Sequence, residues 1–170
     1  MDPFHVIVLT VALVAAGWDI ATRRIPNALT FGAATAAVVV QGYVGGWPGA
    51  ATALAGWAVG VALFFPFFAL GGMGAGDVKL LGAIGAWIGP AAAIWVGLYS
   101  GIAGGIAGLL VAGFSGYLRQ MFTNVWCLLM HWRVAGLRPV PELTLSTHQG
   151  PRLAYAVPVL AGLMVTIWLR

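Results

Sequence analysis

Gly74-Ala75-Gly76-Asp77-Val78-Lys79-Leu80-Leu81-Gly82-Ala83-Ile84-Gly85-Ala86-Trp87-Ile88-Gly89-Pro90 sets an acid and a base at the head of an apolar run and a helix-breaking pair at its foot. The tract from Leu80 to Ala112 would otherwise serve as one long tilted helix. Gly89 and Pro90 divide it in two, since proline lacks the backbone donor a helix interior requires and its ring clashes with the preceding turn. The first piece, opened by Asp77, has about a dozen residues and is about 18 Å long, too short for a hydrocarbon core of about 30 Å. It is predicted to begin below a membrane surface.

A membrane is implied by the rest of the chain. Of 170 residues, 61% are hydrophobic and 7% charged, which leaves too little polar surface to cover a soluble globule. No Asp, Glu, Lys or Arg occurs between Arg24 and Asp77, from Leu80 to Leu118, or from Leu153 to Leu169. Each tract has room for at least one spanning helix of about 20 residues. The 25 glycines fit closely packed membrane helices, where small residues let backbones approach. Phe4 to Gly17 has the length of a signal sequence, but its flank carries Asp2 and no Lys or Arg, so a retained first span is expected.

The predicted spans are Phe4 to Ala21, Ala28 to Val44, Ala50 to Leu70, the short helix from Asp77, a helix from Pro90 to about Ala112, and Leu153 to Leu169, where Pro158 marks a kink. Pro26 stops the first helix in the polar link Thr22 to Asn27, and Gly45-Gly46-Trp47-Pro48-Gly49 makes a turn. Arg119 to Arg133 places Gln120, Asn124, Cys127 and His131 on one helical face and reads as an amphipathic interfacial helix. Leu137 to Gly150, with Pro139 and Pro141, reads as a loop. With the break at Gly89-Pro90, Arg23, Arg24, Lys79, Arg119, Arg133, Arg138 and Arg152 share one side, and only Arg170 lies opposite. The positive-inside rule makes the loaded side cytoplasmic. The expectation is an all-α membrane protein, one domain over residues 1–170, with six transmembrane helices, an extracytoplasmic N-terminus and an amphipathic helix between the fifth and sixth.

The net charge of +4 is spread over short connections rather than gathered on a face, which argues against nucleic acid as a partner. Cys127 stands alone, excluding an intramolecular disulfide and a Cys-x-x-Cys metal site. The carboxylates are Asp2, Asp19, Asp77 and Glu142. Asp2 belongs at the far end of the first span and Glu142 between loop prolines. Asp19 and Asp77 remain, both near the cytoplasmic ends of their helices. Paired carboxylates share one proton, because like charges in contact do not both ionise cheaply, and so supply a general base for water and a general acid for a carbonyl. No metal, cofactor or covalent intermediate is required. Each residue also has a structural reading: Asp19 as the i, i+4 partner of Arg23, and Asp77 as an N-cap. Intramembrane carboxylates also build proton-coupled transporters and channels, the competing functional class, but these spread polar groups through the bilayer depth.

Asp19-Ile20-Ala21-Thr22-Arg23-Arg24-Ile25-Pro26-Asn27 resembles the first aspartate motif of the type IV prepilin peptidases, an Asp followed shortly by Ile-Pro-Asn. Gly74-Ala75-Gly76-Asp77-Val78-Lys79-Leu80-Leu81 resembles their Gly-x-Gly-Asp motif, and Tyr155-Ala156-Val157-Pro158 is similar to their last span, with Ala154 where a proline is usual. The resemblance implies a minimal peptidase of the tight-adherence or Flp-pilus type in a bacterial inner membrane. Asp19 and Asp77 would be catalytic and metal-free, and the substrate a prepilin cut just after a short basic leader at the cytoplasmic face. The methyltransferase region of larger members has no counterpart here. Within that family, Gly74 and Gly76 would let the Asp77 segment move toward Asp19 by adopting backbone shapes closed to other residues. Arg23, Arg24 and Lys79 would stand near the entrance as supporting residues or as solvated positive-inside charges.

Overall fold

In the computed structural model, which describes residues 2–136, 138, 140, 144 and 153–169, the secondary structure is helical: α1 Pro3–Thr22, α2 Asn27–Ala69, α3 Ala75–Ile88, α4 Pro90–Phe114, α5 Leu118–Ala135 and α6 Ala156–Leu169. No strand occurs among the described residues. Three helices, α1, α2 and α4, are long and apolar enough to cross a membrane, while α6 is a shorter apolar helix. Glu142, His148, Arg152, Arg170 and most of the expected loop from Leu137 to Gly150 lie outside the described residues.

Lipid-like packing is visible in which side chains are inside. Ala12, Ala15, Ala37, Ala53, Ala83 and Ala93 are fully buried, while Leu13, Val39, Ile102 and Met164 are more than half exposed. In water that arrangement would forfeit the burial of large apolar groups. In hydrocarbon it costs nothing, and small residues inside allow close helix contact.

The 43 residues of α2 are two limbs joined at Gly46, whose φ of 63° and ψ of −154° fall in a region open essentially to glycine alone. The limbs fold back on each other. A Cβ on Gly49 would strike the carbonyl of Gln41, and Phe31 and Val38 of the first limb share a recess with Leu54 and Trp57 of the second. The turn expected at Gly45 to Gly49 therefore stands, although hydrogen bonding continues through it.

Both limbs pack on α3, the most enclosed element, where every residue from Leu80 to Trp87 is buried. Gly56 and Gly85 put two backbones in direct contact, since a Cβ on either would overlap the other's carbonyl. Gln41 of the first limb donates from Nε2 to the carbonyls of Ala86 (2.5 Å) and Trp87 (3.2 Å), satisfying acceptors that the end of α3 leaves open in an apolar setting. At Gly89, with φ 81° and ψ 169°, the chain turns back and Pro90 starts α4 in its permitted first-turn position. The antiparallel return shows in two contacts: Gly85 against Ala93, and Gly97 against Leu81.

α6 begins at Ala156, three residues later than the span expected from Leu153. This removes the expected kink: Pro158 falls in the first helical turn, where its missing N–H has no partner to lose. α6 runs antiparallel to α4, with Gly162 against Ser100 and Tyr155 against Gly104.

Candidate active site

Asp19 sits in the last turn of α1, which Arg23 closes in the left-handed conformation (φ 55°, ψ 30°), its N–H donating 2.8 Å to the Asp19 carbonyl. Arg23 is the one non-glycine residue with positive φ among those described, a strain of about 1–2 kcal/mol for an L-residue. The Asp19 side chain, 7% exposed, turns instead toward α6: its Oδ2 accepts the N–H of Ala156 at 3.3 Å. It thus occupies the positive end of α6, where a carboxylate is favoured. The simple ion pair with Arg23 read from sequence does not account for that placement.

Asp77 is in the first turn of α3 but does not cap it; Gly74 is the N-cap. The N–H of Asp77 donates to the Gly74 carbonyl at 3.2 Å, and the Asp77 carboxylate accepts a hydrogen bond from the Gly74 backbone. The second of these bonds is the returning half of a capping box, glycine having no side chain to supply the other half, and it points the carboxylate back across the helix end. There Asp77 and Asp19 come close enough to interact electrostatically and line one cleft of about 280 Å³. Asp2, by contrast, caps the opposite end of α1, accepting from the N–H of Phe4 at 3.1 Å.

Arg23, Arg24, Lys79, Gly74 and Gly76 line the same cleft, with both arginines exposed at its rim. Neither glycine adopts a backbone shape closed to other residues in this structure. Gly74 has ordinary extended angles (φ −76°, ψ 144°) and Gly76 is helical. What they provide is room: a Cβ on Gly74 would lie 3.0 Å from Asp77 Oδ2, and one on Gly76 would lie 3.2 Å from Ile25 Cβ. Lys79 is half-buried and bound to the start of α2. Its Nζ donates to Asn27 Oδ1 at 3.0 Å and lies 5.1 Å from the centre of the Phe31 ring. That hydrogen bond and the Ile25–Gly76 contact hold the Ile25-Pro26-Asn27 segment against the head of α3.

Sequence reasoning missed the parts played by Ile25, Asn27 and Ala156. Their signal was position inside the motif stretches, but the partners of all three lie far along the chain. His131 is half-buried on α5 and does not line the cleft. No group of three His, Cys, Asp or Glu suited to a metal occurs among the described residues.

An apolar helical bundle holding two carboxylates in one polar cleft at its helix ends defines a membrane protein with a two-aspartate site. The sequence model of the type IV leader peptidase family matches residues 6–109, a stretch that contains both aspartates, and the chain belongs to that family. Comparison with curated proteins and with solved structures finds no match.

Proposed function

We propose that this peptidase is an aspartyl endopeptidase that removes the short leader from prepilin-like precursors at the cytoplasmic face of a bacterial inner membrane. The observation that carries the reading is the convergence of Asp19 and Asp77, from helices with no other carboxylate nearby among the described residues, on one cleft. One carboxylate takes a proton from water as its oxygen attacks the scissile carbonyl. The other, protonated, donates to that carbonyl oxygen, and proton return to the amine nitrogen accompanies cleavage of the C–N bond. The products are a new carboxylate on the leader and a new amine on the mature protein. Arg23 and Arg24 at the rim, and Lys79 inside, bias the cleft toward an acidic group in the substrate.

The six-span topology, with the N-terminus outside, belongs to the same proposal. Its support is that α2 and the α3–α4 pair are hairpins, so the ends carrying Arg23, Arg24 and Lys79 lie together. α3 and α6, at 14 residues each, are about 21 Å long, so as spans they would begin below the cytoplasmic surface rather than at it. α5 exposes Phe122 and Trp126, 60% and 63% accessible, which suits a helix resting on lipid.

The test is cleavage of a prepilin precursor by the purified wild-type, Asp19→Asn and Asp77→Asn proteins in detergent. Both substitutions are expected to abolish processing while leaving helix content unchanged. Substantial processing by either variant would refute the mechanism.

A further inference from the structure

α6 begins beside the two aspartates, and its opening residues leave one donor for them. Val157 gives its N–H to the Ala154 carbonyl at 3.1 Å, Pro158 has none to give, and the N–H of Ala156 goes to Asp19 Oδ2 at 3.3 Å. Asp19, from α1, thus does for α6 what a capping side chain does at other helix starts. That bond requires the start of α6 to be held at one level and angle, and Tyr155 is placed to hold it. Its carbonyl accepts the N–H of Val159 at 3.1 Å, so it stands at the boundary of the helix. Its ring enters a slot between α4 and the second limb of α2. Phe64 meets it edge to face, with centroids 5.7 Å apart, and the hydroxyl donates to the Ser100 carbonyl at 3.4 Å. Gly104 forms another wall: a Cβ there would lie 2.7 Å from Cε2, 2.8 Å from the hydroxyl oxygen and 2.9 Å from Cζ of the ring. A further α4–α6 contact, Gly162 against Ser100, is about two turns deeper into α6. The phenol also lies near enough to Asp77 to interact with it electrostatically.

Resting on the peptidase reading, we propose that Tyr155 is a positioning residue for the two aspartates: its ring, seated against Gly104 and Phe64, fixes the Ala156 N–H on Asp19 and so fixes where Asp19 stands relative to Asp77. Tyr155 acts through Ala156 and exchanges no proton with water or substrate. Asp19 needs such a guide more than Asp77 does. The Asp77 carboxylate is tied to Gly74 at the head of its own helix, whereas Asp19 leans away from α1 and takes its partner from α6. The geometry also separates the ring from the hydroxyl. A bond of 3.4 Å is long for O–H···O, whose usual range ends near about 3.0 Å. The ring, by contrast, fills a space that a single methyl group on Gly104 would close. The ring is therefore the part that positions.

The experiment measures kcat and KM for cleavage of a prepilin precursor by the full chain in detergent. Tyr155→Leu, which empties the slot beside Gly104, is expected to lower kcat by about tenfold or more, since a small misplacement of a reacting group is costly in rate. KM should stay within about twofold of wild type, because Tyr155 does not line the polar cleft. Tyr155→Phe keeps the ring and should retain at least about a third of wild-type kcat. Gly104→Ala crowds the ring out of its slot and should reproduce the loss of kcat, whereas Gly105→Ala, with open space at its Cβ, should not. The double variant Gly104→Ala/Tyr155→Leu should be no slower than Tyr155→Leu alone, because without the ring the added methyl has nothing to displace. Unchanged kcat in Tyr155→Leu overturns the proposal. So does a loss confined to KM, which would make Tyr155 a substrate contact, and so do equal losses in Tyr155→Phe and Tyr155→Leu, which would move the role to the hydroxyl. If Tyr155→Leu does not fold, Gly104→Ala against Gly105→Ala decides, equal kcat in the two being the refuting result. Each of these failures leaves wild-type cleavage intact, whereas a wild-type protein that leaves the precursor whole, or asparagine variants that cut it, would sink the peptidase reading itself.

Discussion

Gly85→Ala adds one methyl group about 12 Å along α3 from Asp77, yet it should damage both stability and catalysis. The added carbon would overlap the Gly56 carbonyl oxygen, lie 2.9 Å from its carbon, and lie 3.1 Å from Ala93 Cβ. Ordinary contact begins near 3.5 Å, so α3 must withdraw from α2 by the better part of an ångström, or one of its turns must distort. Overpacking of this kind costs about 1–3 kcal/mol. The higher helix propensity of alanine returns about 1 kcal/mol, leaving a net loss of about 0–2 kcal/mol.

Because α3 carries Asp77, its displacement is also felt at the cleft, where a misplacement of about 1 Å can cost about 100-fold in rate. Gly105→Ala is the matched control: it is the same substitution within a helix, but its Cβ has open space, so propensity alone should stabilise the protein by about 0.5–1 kcal/mol. Thermal unfolding in detergent and precursor cleavage, measured on both variants, read the two effects. Equal melting temperatures and equal rates for Gly85→Ala and Gly105→Ala would refute the claim that backbone contact between α2 and α3 positions Asp77.

Gln41→Leu strands the carbonyls of Ala86 and Trp87 and should cost about 1–3 kcal/mol, read as a lowered melting temperature with the cleavage chemistry otherwise intact. Gly46→Ala forces a Cβ into the glycine-only backbone of the α2 turn and should destabilise by about 1–3 kcal/mol; an unaffected melt would show that the turn relaxes freely. Lys79→Met removes the hydrogen bond to Asn27 and the cation–ring contact with Phe31, and is expected to reduce kcat/KM severalfold. If Asn27→Ala and Lys79→Met together are no worse than either alone, the two residues act as one unit, as their contact implies.

Much of this protein was legible in its order of residues. Long tracts without charge announce membrane helices, Gly89-Pro90 and Gly45 to Gly49 announce reversals, and the near-lack of acids narrows the chemistry to Asp19 and Asp77. These are local signals, set by hydropathy, by proline's missing donor and by glycine's missing Cβ, and each acts within a few residues. What needed three dimensions were pairings between distant segments: Asp19 with the N–H of Ala156, Lys79 with Asn27, and Gly76 with Ile25. Even the start of α6 was of this kind, since residues 153–155 are as apolar as the helix that follows. Apolar composition says that a segment prefers lipid or core but is silent on depth and neighbours. Those are chosen when helices meet, by which small residues allow contact and by which polar atoms would otherwise be left without partners.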